Sequence, residues 1–222
     1  PIGGQSGMIK LRWGLSPEEM KFDGAAPFIK FALGENVKQS NWGDYETERF
    51  PQTRMGVEQV YYDHFWLARE YGEEWGKYWD TYLKLTKRDF KRGDIPTEPR
   101  RDLEMECLLQ ILNSERFVTC HSYRQDEINM LMHVADSMDF RLNTFTHILE
   151  GYKVADKMKA HGAGASSFSD WWAYKYEVKD AIPYNGALLW EQGIVTAFNS
   201  DDREMARRLN QEAGKAVKYG GV

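Results

Sequence analysis

Four runs of strand length, spaced by helix-length intervals, most constrain what this chain can fold into. FIKFALGEN carries Lys30, RFVTCHSYR carries His121, LNTFTHILEG carries His147, and GIVTAFNSDD carries Asp201 near its end. Each is apolar through its middle and turns polar at its C-terminal end. With a weaker run at 162–166, strands are expected at 27–34, 116–120, 141–147, 162–166 and 194–198. Helical periods fall at about 99–113, 124–137, 151–160, 184–191 and 203–217. Strands alternating with helices of this length make βαβ units and a parallel sheet.

Five such strands fall short of the eight that close a parallel α/β barrel. The sheet is therefore either open and doubly wound or the second part of a barrel. No GxGxxG or GxxxxGK[ST] follows any strand, which removes the commonest phosphate-binding reasons for an open sheet. A partial (β/α)8 barrel, about strands 4 to 8, is favoured, with residues 1–222 reading as a single-domain fragment. The segment 35–98 reads as a charged, aromatic-rich insertion whose middle has helical character, a helical hairpin interrupted at Gly72.

Composition narrows the function classes. At 222 residues and 42% hydrophobic, the chain can bury a sizeable core. The net charge of -5, with both signs interspersed, gives no reason to expect a nucleic-acid partner. No run of about 18 apolar residues occurs, so no membrane-spanning helix is expected. Cys107 and Cys120 form no CxxC pair, which indicates neither a disulfide framework nor a cysteine zinc site. PIGGQSGMIKLRWG has no basic n-region or apolar h-region, and that assigns no compartment.

Read singly, each polar residue has an ordinary explanation. Lys30 can be a salt-bridged surface lysine, His121 a helix-capping residue, and His147 a hydrogen-bonded strand end. Asp201 or Asp202 can cap the helix that follows. Arg54 can bind a substrate carboxylate, but a structural ion pair is the favoured reading. Trp171 and Trp172 either pack or line a substrate pocket. His64, His133 and His161 fall on expected helices or helix ends and belong outside any site.

Taken in order, the runs carry a resemblance. FIKFALGENVK, FPQTRMGV, VTCHSYR, FTHILEGYKVADKMKAHG and GIVTAFNSDDREMARRLNQEAGKAVKYGG resemble the imidazolonepropionase-like and prolidase-like branch of the amidohydrolase superfamily, over nearly the whole chain. The resemblance implies a (β/α)8 barrel holding one or two divalent metal ions, zinc above all. It also implies hydrolysis of a C–N bond in an amide, cyclic amide or peptide-like small molecule by a metal-activated hydroxide. In that family an HxH motif lies on the first strand, a carboxylated lysine or a glutamate on the fourth, histidines on the fifth and sixth, and an aspartate on the eighth.

On that correspondence the metal ligands are Lys30, as a carbamate, His121, His147 and Asp201, with Glu35 the rival to Lys30. Asp201 also takes the proton from water and passes it to the leaving nitrogen. A carbamate requires a buried lysine of lowered pKa, and imidazoles suit zinc. One departure matters: no HxH occurs in the chain. The first three strands and two ligands are then expected from the remainder of the parent barrel, which becomes the natural partner, with self-association an additional expectation. The chain also stops at KYGGV, where relatives continue. An unpaired strand edge is expected near residue 27. The alternative is a catalytically incomplete barrel fragment or binding module with a partial metal site.

Overall fold

The computed structural model describes residues 1–38 and 50–222. Among them, six strands form one sheet in sequence order: β1 (Ile2–Ser6), β2 (Phe28–Ala32), β3 (Phe117–Ser122), β4 (Thr144–His147), β5 (Gly164–Ser167) and β6 (Thr196–Phe198). Strands β2 to β6 are all parallel. The helices are α1 (Pro17–Met20), α2 (Arg54–Tyr82), α3 (Lys87–Arg92), α4 (Leu103–Leu112), α5 (Gln125–Ser137), α6 (Ala155–His161), α7 (Asn185–Glu191) and α8 (Leu209–Gly220). The architecture is thus α/β with a mostly parallel six-stranded sheet.

Because the strand order never reverses, right-handed crossovers carry successive helices to the same side of the sheet. Alternation along each strand records the result. Ile29, Phe31, Val118, Cys120, Phe145 and Ala165 are buried in the core, whereas Lys30 is exposed and Thr119, Thr144, Thr146 and Ser166 are half-buried. One face is packed against helices and the other is polar and open.

The long helix α2 supplies much of that packing. Val57, Val60, Tyr61, Phe65, Ala68 and Tyr71 recur at helical spacing and are all buried, the pattern of a helix with one apolar stripe. Phe65 stacks on Phe140 with ring centroids 4.2 Å apart, and the Tyr61 hydroxyl donates to the carbonyl oxygens of Pro1 and Ala32. Thr53 caps its first turn.

Two expectations are corrected here. The helical region between β2 and α4 is one continuous helix through Gly72, followed by a turn and the short α3, rather than a hairpin broken at Gly72. That glycine answers to packing: a Cβ there would lie 2.8 Å from Leu109 Cδ1 of α4, so the two helices meet where it has no side chain. The remainder of the expected insertion at 39–49 lies outside the described residues. The edge of β2 is also not unpaired, because β1 pairs with it antiparallel, with an irregularity between Ile2 and Gln5. Among the described residues no helix is long and apolar enough to cross a membrane.

Candidate metal centre

The C-terminal ends of β3 and β4 bring two histidines together. His121 sits opposite Thr146 and His147 opposite Ser122 in the parallel register. Strict alternation places His121 on the open face, and would place His147 with Phe145 on the helix-covered face. Yet the two imidazole centroids are 4.6 Å apart at 72°. The backbone resolves the conflict: His147 has φ +75° and Ile148 φ +29°, left-handed conformations that cost non-glycine residues about 1–3 kcal/mol each. That turn swings the His147 ring across to its neighbour. Beyond β6 the chain folds back, and Asp201 Oδ2 lies 3.6 Å from His147 Nε2.

An aromatic wall flanks the pair. The Tyr123 ring stacks on His147 at 5.5 Å and meets His121 edge-on at 4.9 Å, and Phe168 contacts His147 at 5.2 Å. Phe168 passes the contact to Trp171, and Trp171 to Tyr174. Lys175 lies 4.4 Å from the Tyr123 ring centroid and is neutralised by the buried Glu177 at 2.8 Å. Glu177 also accepts a hydrogen bond from the Glu35 backbone N–H. This contact explains Gly34, whose φ is +75° and whose Cβ would fall 2.4 Å from Glu177 Oε1.

Electrostatics keep both imidazoles neutral. The Asn36 amide donates to His121 Nε2 at 2.8 Å, so that nitrogen carries the lone pair and Nδ1 the proton. Burial, reinforced by His147, Lys30 and Lys175, pushes His121 down to about 3. Burial also lowers His147, against the opposing pull of Asp201 and with smaller contributions from Lys30 and Lys175. Burial, with its bond to Tyr174, raises the Tyr123 phenol far above its usual range, so it stays protonated.

A stability consequence follows by linkage. A histidine whose folded pKa is depressed stabilises fully above its unfolded value of 6.5 and loses that contribution as pH falls toward about 3, because the unfolded chain takes up the proton first. Between pH 8 and pH 5, metal-free protein should lose about 2 kcal/mol through His121 alone. Urea melts at the two pH values should show a loss smaller by that amount in His121→Gln. Equal losses in both proteins would sink the assignment.

The other expected residues fall as follows. Lys30 lies on the open face of β2, two residues before the register partner of His121, and its charge reaches both histidines. It is exposed in this chain, so the burial that a carbamate needs is not supplied here. Glu35 turns toward Lys175, 3.7 Å away. Asp202 accepts from the backbone N–H groups of Glu204 and Met205 and so closes the turn that leads into a short 3-10 segment, whereas the helix it was expected to cap begins only at Leu209, with Arg208 at its N-cap. Arg54 forms a 2.6 Å ion pair with Glu127, the favoured structural reading. Trp171 packs beside Phe168 while Trp172 is half exposed.

His64 bonds its own helix at Val60, His161 bonds Asp136 and the Leu142 amide, and His133 is exposed on α5. Among the described residues, no three His, Cys, Asp or Glu side chains form a ready metal-ligand cluster. Sequence reasoning missed Asn36, Tyr123, Lys175, Glu177, Ser167 and Asn185. Only Tyr123, two residues beyond His121 on the same strand end, carried a signal that could have found it.

Comparison with known proteins gives two similarities. The chain is 25% identical over 198 residues to the amidohydrolase tasK of Hapsidospora irregularis, which covers 87% of this chain and 19% of that protein. The crystal structure of an amidohydrolase from Thermotoga maritima MSB8 superposes with a TM-score of 0.77 at 25% identity, over 99% of this chain and 53% of that one. The chain therefore spans about a fifth of the first and about half of the second. No family model matches. Together the two similarities support an amidohydrolase-family relationship.

Proposed function

We propose that this chain forms the C-terminal portion of a (β/α)8-barrel hydrolase of the imidazolonepropionase-like and prolidase-like kind, acting on a C–N bond of a small amide, cyclic amide or peptide-like substrate. The observation that carries the reading is the meeting of His121 and His147, with Asp201 beside them, at the C-terminal ends of parallel strands, where barrels of this type keep their chemistry. The names of the two similar proteins support the same reaction class.

The side chains fit a divalent cation. Both imidazoles are held neutral, as ligation requires, and His147 Nδ1 is buried without a hydrogen-bond partner. His147 and Asp201 would hold the ion together with His121, whose Nε2 would exchange the Asn36 amide for the metal, with Lys30 or Glu35 completing the set from β2 and further ligands from preceding strands. Zinc in such a place lowers the pKa of water toward neutrality. The chain's own residues do the rest. Asp201, half exposed beside His147, can accept a proton at Oδ2 and return it to a leaving nitrogen. The Tyr123 hydroxyl remains a donor, and Phe168 and Trp171 exclude water from one side of the site.

The open face of the sheet, with Lys30, Thr119 and Thr146 uncovered to different degrees, suits the remaining strands of a barrel as its partner, and self-association through that face competes with them. Nothing in the charge pattern favours nucleic acid or membrane. The reading is tested by zinc content and hydrolysis of N-acyl amino acids, dipeptides and cyclic imides. The 222-residue chain is compared with a longer chain that adds the preceding strands. Stoichiometric zinc and chelator-sensitive activity are expected only in the longer chain; hydrolysis that survives chelation would overturn the metal reading.

A further inference from the structure

We propose that Ser167 and Asn185 are positioning residues that clamp the His147–Ile148 backbone in its left-handed turn and thereby aim the His147 imidazole at His121. The inference rests on reading His147 as a metal ligand, but its geometry stands apart from any metal. His147 can reach the open face only by leaving the strand alternation, and it does so through two successive positive-φ residues, the second of them β-branched. Such a conformation persists only where its surroundings over-determine it.

Every polar contact needed for that is present. The Ser167 hydroxyl donates to the His147 carbonyl oxygen at 3.0 Å, and Asn185 Nδ2 donates to the Ile148 carbonyl oxygen at 3.0 Å. The same Asn185 amide donates to Ser167 Oγ at 2.9 Å, joining the two clamps, while its Oδ1 accepts from the Tyr152 N–H at 2.9 Å. Ile148 N–H donates to the Ser122 carbonyl oxygen at 2.8 Å and fixes the other side of the turn. Ser167 and Asn185 are both 1% exposed, so water cannot replace them. Ser167 ends β5 and Asn185 opens α7; the clamp thus reaches His147 from the neighbouring strand and from a helix further along the chain.

Both donors touch carbonyl oxygens rather than the imidazole, which separates them from groups that act on substrate. In metal-free protein with labelled histidines, the His121 and His147 rings should show a through-space NMR contact, given their 4.6 Å separation. Ser167→Ala and Asn185→Leu should lose it, while Ser167→Thr, which keeps the hydroxyl, should retain it. In the longer chain that adds the preceding strands, zinc affinity, read by chelator competition, should fall about tenfold or more in the first two variants, as for other outer groups that orient ligands, and recover in Ser167→Thr. Unchanged ring contact in folded Ser167→Ala would overturn the proposal, as would equal loss in Ser167→Ala and Ser167→Thr. If Asn185→Leu does not fold, Ser167→Ala and Ser167→Thr decide. A wild-type chain that takes up no zinc even when joined to its preceding strands defeats the metal reading, and the ring contact then decides the positioning alone.

Discussion

Replacing His147 with alanine is expected to reduce chelator-sensitive hydrolysis by the longer chain more than roughly 100-fold, beyond what loss of an outer orienting group costs. The reason is position: His147 touches both His121 and Asp201, so its removal takes a neutral donor from the centre and leaves Asp201 without its neighbour. His133→Ala is the control, since that residue is exposed on α5. Initial rates at saturating zinc measure the effect. A His147→Ala rate within a few-fold of wild type would refute the site.

The second large effect concerns stability. Glu127 is 3% exposed, its Oε2 has no hydrogen-bond partner, and its charge is balanced by Arg54 at 2.6 Å and Lys38 at 4.0 Å. Burial raises its pKa, opposed by those two cations. Arg54→Leu leaves the carboxylate inadequately paired, a change of the kind that costs several kcal/mol. The penalty at pH 7 is capped at about 3.4 kcal/mol, because the carboxyl can protonate instead. A loss of about 2–3 kcal/mol is expected. Its pH dependence has a definite sign: a carboxyl with a raised folded pKa destabilises more as pH climbs from 4.5 through that pKa. The difference between variant and wild type should therefore shrink from pH 7 to pH 5 in denaturant melts. A penalty that stays constant across that range would contradict the account.

Much of the sheet was legible because β2, β3 and β4 are built from apolar, β-branched and aromatic runs that declare themselves locally. The first strand was not: IGGQS has two glycines and no apolar alternation, and its place is set by pairing with β2. The strand expected from 141 begins at Thr144, because Leu142 is drawn into the core and the Asn143 side chain accepts from the Val118 N–H. Gly72 reads as a helix breaker only when Leu109, 37 positions away, is ignored.

The candidate site was legible as residue types in order along the chain, not as geometry. His147 looks like any strand-end histidine until two positive-φ residues turn its ring, and the Asn36 contact to His121 spans 85 residues of sequence. Lys175 and Glu177 lay in a loop whose composition marks it as polar without saying which charges pair.

The long helix has an optical consequence. Trp66, Trp75 and Trp79 all sit on α2, Trp75 stacks on Trp79, and Trp13, Trp172 and Trp190 are at least half exposed, while among the described residues no tryptophan belongs to the buried core. The fluorescence of these six therefore reports chiefly on α2 and the surface, and circular dichroism watches the whole. If the outer half of α2 opens before the sheet does, the two melting curves will separate, and their gap will measure how independently that helix comes away.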